Sequence, residues 1–203
     1  MKTENITINS RGQGIEEALA MTESLGTESG LAEGEKLHLR LLAEELLGML
    51  RSVAGEVSAD YWIIQEEKKF ELHMQSEVSL TDEMREQLIS ASTSGENAAG
   101  KGIMGKIRLM IEDVFLSRSM EAVITSGLAM SLMSSASATG QSSGADAYLW
   151  SLNQYKKEVE AKRMKDEGEA WDELEKSIIA KIADEVTVWI MGSSVEIIVY
   201  KAF

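Results

Sequence analysis

The stretch 185-EVTVWIMGSSVEIIVYKAF-203 decides the fold. Both halves are dense in Val and Ile, which suit a pleated, half-buried surface, and only Gly192-Ser193-Ser194 separates them. A connection that short joins neighbouring strands of a hairpin, so the pairing is antiparallel. A second hairpin signal lies upstream: residues 61–65 and 70–74 are apolar-rich runs joined by the charged tetrad 66–69. Alternation through Ile6 and Ile8 adds a short strand at residues 5–9.

Helical patterns fill the space between these strands. Residues 15–25 place Ile15, Leu19 and Thr22 on one side, and the glycine-containing residues 26–34 read as a loop. Residues 35–53 give the clearest helix: Leu39, Leu42, Leu46, Met49, Leu50 and Val53 form a stripe about 100° wide, with Gly55 as a stop. Residues 81–89 predict a helix capped by Thr81, with Asp82 favourable in its first turn. Residues 90–105 are rich in Ser, Gly and Ala, and an amphipathic helix is predicted over 103–115.

From residue 117 a helix is predicted to Met133, followed by the low-complexity loop SSASATGQSSG. Residues 146–183 then read as one or two charged helices. Their buried side is formed by Leu149, Leu152, Val159, Trp171, Leu174, Ile178 and Ile182, with a break at Gly168. The expected fold is α+β: a two-layer α/β sandwich with a mostly antiparallel mixed sheet and helices on one face. One domain spans 1–203, with 117–183 as a helical insertion before the last hairpin.

Composition limits the function classes. Asp and Glu total 34 against 20 Lys and Arg, a net charge of −14, which opposes binding to nucleic acid. Cysteine is absent, so disulfides, thiolate metal sites and cysteine nucleophiles are excluded. The start, MKTENITINSRG, lacks the apolar run of a signal peptide, and no apolar stretch reaches the roughly 18 residues of a membrane span. A cytoplasmic protein is expected. His38 and His73 have no ligand-spaced acids beside them and receive no catalytic or metal role. Trp62, Trp150, Trp171 and Trp189 read as packing residues.

Two segments in this order of elements carry a resemblance. LAEELLGML (42–50) lies on the clearest helix, and GKGIMGKIRLMIED (100–113) opens with a G-x-G and runs into a helix. Together they resemble the ATP-binding fold of gyrase and histidine kinases (the GHKL superfamily), and most nearly the bacterial anti-sigma factor serine kinases. The resemblance covers residues 1–115 and the final hairpin. It implies an ATP-binding regulatory protein with a regulatory protein as partner.

By the same resemblance Glu45 stands where the family's glutamate activates the attacking water or hydroxyl. Gly100, Lys101, Gly102 and Gly105 stand in the glycine lid, where backbone N–H groups and a helix N-terminus face phosphate. Met49 replaces the family's asparagine, which holds Mg²⁺ through oxygen; a soft thioether does not substitute for it. The aspartate that meets adenine at the end of the hairpin is also missing, and Gln75 occupies that region. ATP is thus the implied cofactor, while Mg²⁺ and serine kinase or ATPase turnover are opposed by these two departures. The alternative is a pseudo-ATPase (a pseudokinase-like interaction module) that no longer binds nucleotide.

Overall fold

A computed structural model describes residues 1–52, 57–77, 147–163, 177–191 and 194–203. Six strands form one sheet: β1 (Ile6–Asn9), β2 (Ser58–Glu66), β3 (Lys69–Glu77), β4 (Ala147–Ser151), β5 (Glu185–Met191) and β6 (Ser194–Ala202). Their order across the sheet is β1-β2-β3-β6-β5-β4. Every described pairing is antiparallel, so the mixed sheet expected from sequence is antiparallel throughout its described part. Helices α1 (Ile15–Glu28), α2 (Glu33–Ser52), α3 (Leu152–Arg163) and α4 (Ile178–Ile182) complete the two-layer α+β architecture.

Strand alternation sorts the side chains. Ile8, Ala59, Tyr61, Ile63, Phe70, Leu72, Met74, Val186, Val188, Trp150, Val195, Ile197 and Val199 point into one core. They meet Leu39, Leu42, Leu46, Leu47 and Leu50 of α2, together with Ile15, Ala18 and Leu25 of α1. The α2 stripe predicted from sequence is the stripe that is buried. Val53 and Gly55 lie outside the described residues.

The loop expected over 26–34 is shorter than its glycines suggested. Helix α1 continues to Glu28 and closes on Gly30 (φ 66°), whose N–H donates to Thr27 O while Leu31 N–H donates to Gly26 O. This double bond around a left-handed glycine satisfies carbonyls that the helix end would otherwise strand. Helix α2 then starts at Glu33, and Glu35 accepts a hydrogen bond from Ala32 N–H at 2.7 Å, the reciprocal half of a capping box. That bond, followed by Lys68, holds the half-buried Glu35 carboxyl below its ordinary range.

Two expectations fail in the 146–183 region. Residues 147–151 are not helical but form the edge strand β4, hydrogen-bonded to β5 with Trp150 opposite Val188. A run this short carries too few periods to separate strand from helix. Ile178, expected inside, is 40% exposed, whereas Ile179 and Ala180 are buried. Helix α4 starts at the Ser177 cap, whose hydroxyl accepts from Ala180 N–H, and this sets the phase one residue later than the apolar count implied. Leu152, Tyr155 and Ile179 enter the core, so the described part of the expected insertion belongs to the main fold. The helices predicted over 81–89, 103–115 and 117–133, with Gly168, Trp171 and Leu174, lie outside the described residues. No helix among the described residues is long and apolar enough to cross a membrane.

Candidate functional site

Helix α2 places Glu45 half-buried, one turn before Met49. Met49 is 4% exposed and belongs to the core between helices and sheet. Its thioether packs there and offers no hard oxygen ligand. Gln75 sits elsewhere. In β3, Leu72, Met74 and Ser76 face the helices, so Glu71, His73 and Gln75 point through the opposite face. The Gln75 amide donates to Ser194 Oγ at 3.1 Å on that face. The sheet therefore separates Gln75 from Met49 and does not bring them to one pocket.

Ser76, the neighbour that does face the helices, donates its hydroxyl to Ser58 O at 2.7 Å. These described residues do not fit the magnesium and adenine contacts of a nucleotide. Gly100, Lys101, Gly102 and Gly105 lie outside the described residues. Among the described residues no group of three or more His, Cys, Asp or Glu side chains is placed to hold a metal ion.

The face that Gln75 shares is the better-built constellation. Trp62, His73, Ile198 and Thr187 stand opposite one another on four adjacent strands. Trp62 (7% exposed) and Ile198 (8%) are buried yet lie outside the core cluster, because their strands turn them to the other side. His73 is buried as well, and its ring stacks on Trp62 with centroids 4.9 Å apart and planes 13° apart. Its Nδ1 lies 2.9 Å from Glu196 Oε1 and its Nε2 lies 3.4 Å from Glu71 Oε2. A carboxylate oxygen thus stands beside each ring nitrogen.

Beyond the strand on Trp62's other side, Lys2 Nζ sits 4.5 Å from the indole centroid. The N-terminal segment is held there by Thr3 N–H to Ile63 O and Gln65 N–H to Met1 O. Asp60, which accepts from Thr7 Oγ1, and Glu185 carry the acidic character to either end of the face. Half-buried Ile64, Tyr200, Trp189 and Leu149 supply apolar surface between the carboxylates. The indole of Trp62 is thus flanked by the Lys2 ammonium on one side and by the His73 ring on the other.

The reading of Trp62 as a packing residue agrees with its burial and its stack on His73, although the stack lies on the sheet face away from α1 and α2. The signal was the alternation itself. Glu71, His73 and Gln75 interleave with Leu72 and Met74, which commits the charged set to one face, but the cross-strand register that adds Trp62 and Glu196 is not written in any one segment. Compared with known proteins, the chain matches no family model, no curated protein and no solved structure.

Proposed function

We propose that this chain is a regulatory protein-interaction module built on a histidine kinase-like scaffold, acting in the cytoplasm through a protein partner and without nucleotide turnover. One observation carries the reading: Met49 is packed in the core while Gln75 is on the far face of the sheet. The side chains standing for the metal and adenine contacts are on opposite sides of β3. The order of strand, two helices and hairpin, with the β5–β6 hairpin paired to β3 within the sheet, supports the scaffold. The acidic and aromatic face around Trp62 supports contact with another protein, since aromatic residues supply much of the energy of such interfaces.

The test is calorimetry and thermal unfolding with ATP and with ADP, each with and without Mg²⁺. A ligand present at a hundred times its Kd stabilises by about 2.7 kcal/mol. For a chain of this size that is a rise in Tm of roughly 5–10 °C. The expected outcome is no Mg²⁺-dependent shift at millimolar nucleotide. Tight, Mg²⁺-dependent ATP binding overturns the reading and restores the ATP-binding regulatory protein, with Glu45 as its candidate catalytic residue.

A further inference from the structure

The sheet has the same build from either edge. Its order is β1-β2-β3-β6-β5-β4, and among the described residues each half follows the chain order strand, two helices, hairpin. The two hairpins also match in register. β2 ends at Glu66 and β3 runs over Lys69–Glu77, while β5 ends at Met191 and β6 runs over Ser194–Ala202, so a shift of 125 residues lays one on the other. Ile63 then falls on Val188, Leu72 on Ile197 and Met74 on Val199, and all six lie in the core.

The polar positions repeat as well. Glu71 falls on Glu196, and Asp60 falls on Glu185. Asp60 accepts a hydrogen bond from Thr7 Oγ1 of β1, and Glu185 accepts one from Ser151 Oγ of β4. Each acid thus ties its hairpin to the outer strand of its own half. Between the halves, Leu72 pairs with Val199 and Met74 with Ile197, which sets His73 opposite Ile198, its own equivalent. A residue that pairs with its own equivalent marks a twofold axis.

We infer that the chain is a fused pseudo-dimer: residues 1–77 and 147–203 are two copies of one β-α-α-β-β unit, and the β3–β6 seam is the interface through which each copy meets the other. A twofold contact uses the same patch on both partners, and here that patch is the last strand of each unit. Such an arrangement leaves two equivalent joints. Glu77 pairs with Ser194 and Ala147 with Met191, so the link from the first unit to the second begins and ends beside the β5–β6 turn. Lys69 pairs with Ala202, and Gln65 N–H donates to Met1 O, so Phe203 and Met1 stand in the same way beside the β2–β3 turn. Each gap is three inter-strand spacings, about 15 Å, which about five extended residues cross. A connection at either joint therefore holds the same sheet.

The measurement is thermal unfolding of two circular permutants that keep every residue of the chain. Both join Phe203 to Met1 through one Gly-Ser linker of about eight residues. One opens between Gly140 and Gln141, outside both units; the other opens after the exposed Gly30, between α1 and α2 of the first unit. The first should be monomeric and unfold cooperatively within about 5 °C of the native chain, and the second at least about 10 °C below it. A first permutant that loses as much as the second overturns the inference. In the unpermuted chain, Leu72→Ala and Ile197→Ala remove the same number of carbons from equivalent, fully buried sites. Their losses in Tm should agree within about 4 °C, and a wider gap also overturns it. The inference does not rest on the functional reading above: Mg²⁺-dependent ATP binding would sink that reading and leave both results untouched.

Discussion

The Tyr61 hydroxyl lies 2.9 Å from Thr22 Oγ1, in the buried seam where α1 crosses β2. Thr22 Oγ1 also lies 2.7 Å from Ala18 O and donates to it, so the phenol is the donor in the link between helix and sheet. Both residues are almost fully buried. The bond ties α1 to β2 inside the core.

Thr22→Val strands a buried phenol donor and should cost about 1–3 kcal/mol in urea unfolding. Tyr61→Phe leaves the Thr22 bond to Ala18 intact and should cost less, about 0.5–1.5 kcal/mol. The double variant should cost less than the sum, because an apolar pair leaves nothing unsatisfied. Strict additivity in this cycle would show that the two hydroxyls do not depend on each other.

The same seam predicts an alkaline response. Burial pushes the Tyr61 phenol well above its ordinary range, and Tyr200 shifts in the same direction. The folded state therefore keeps a proton that the unfolded chain releases near pH 10, so the folded state binds more protons and stability falls as pH rises. The contribution is complete below about pH 10 and is lost progressively above it. Lys156, lowered by burial, acts in the opposite sense over the region below the ordinary lysine value. Urea midpoints between about pH 8 and pH 11 should drop for the native chain and drop less for Tyr61→Phe. A Tyr61→Phe profile as steep as the native one assigns the loss to other groups.

The parts of the fold that were legible in the sequence are those where one segment carries its own instruction. The α2 stripe and the two hairpins have enough periods, or a short enough connection, to fix their structure locally. Ala147–Ser151 failed because its strand character comes from pairing with β5, an instruction held by another segment. The placement of Gln75 was legible in principle: counting outward from buried Leu72 and Met74 puts it on the far face. A resemblance that aligned it with an adenine contact ignored that parity. The Trp62–His73 stack joins β2 to β3, and Glu196 joins from β6 over a sequence separation of 123 residues, so only the register shows that they meet.

Three glycines give a graded test of backbone conformation. Gly14 caps α1 with φ 75°, and a Cβ added there would fall 2.3 Å from Thr7 O, a backbone atom of β1 that cannot swing aside. Gly14→Ala should cost about 2–4 kcal/mol, from left-handed strain plus the clash. Gly30 has φ 66° but open space around the site, so Gly30→Ala should cost only the strain, about 1–2 kcal/mol. Gly48 is helical with nothing near, and Gly48→Ala should stabilise by about 0.5–1 kcal/mol. A different rank order in urea unfolding would mean that the tight approach at Thr7 relaxes cheaply.

Strand β4 passes into α3 with no loop, and Glu185 on β5 makes that junction possible. The first N–H groups of α3 have no partner within the helix. Glu185 Oε1 accepts from Asn153 N–H at 3.0 Å and from Val186 N–H at 2.9 Å, while Oε2 accepts from Ser151 Oγ at 2.9 Å. Ser151 Oγ in turn accepts from Gln154 N–H at 3.3 Å. A carboxylate at this end also meets the positive pole of the helix. Glu185→Ala should therefore destabilise by about 1.5–3 kcal/mol, and Glu185→Gln by less, since one acceptor oxygen survives. The loss should be local: hydrogen exchange at Asn153 and Gln154 should accelerate in Glu185→Ala while the amides of Ile197 and Val199, in the centre of β6, keep their protection. If the Asn153 and Gln154 amides exchange at native rates in that variant, the helix start is held by its own turn and the carboxylate is incidental to it.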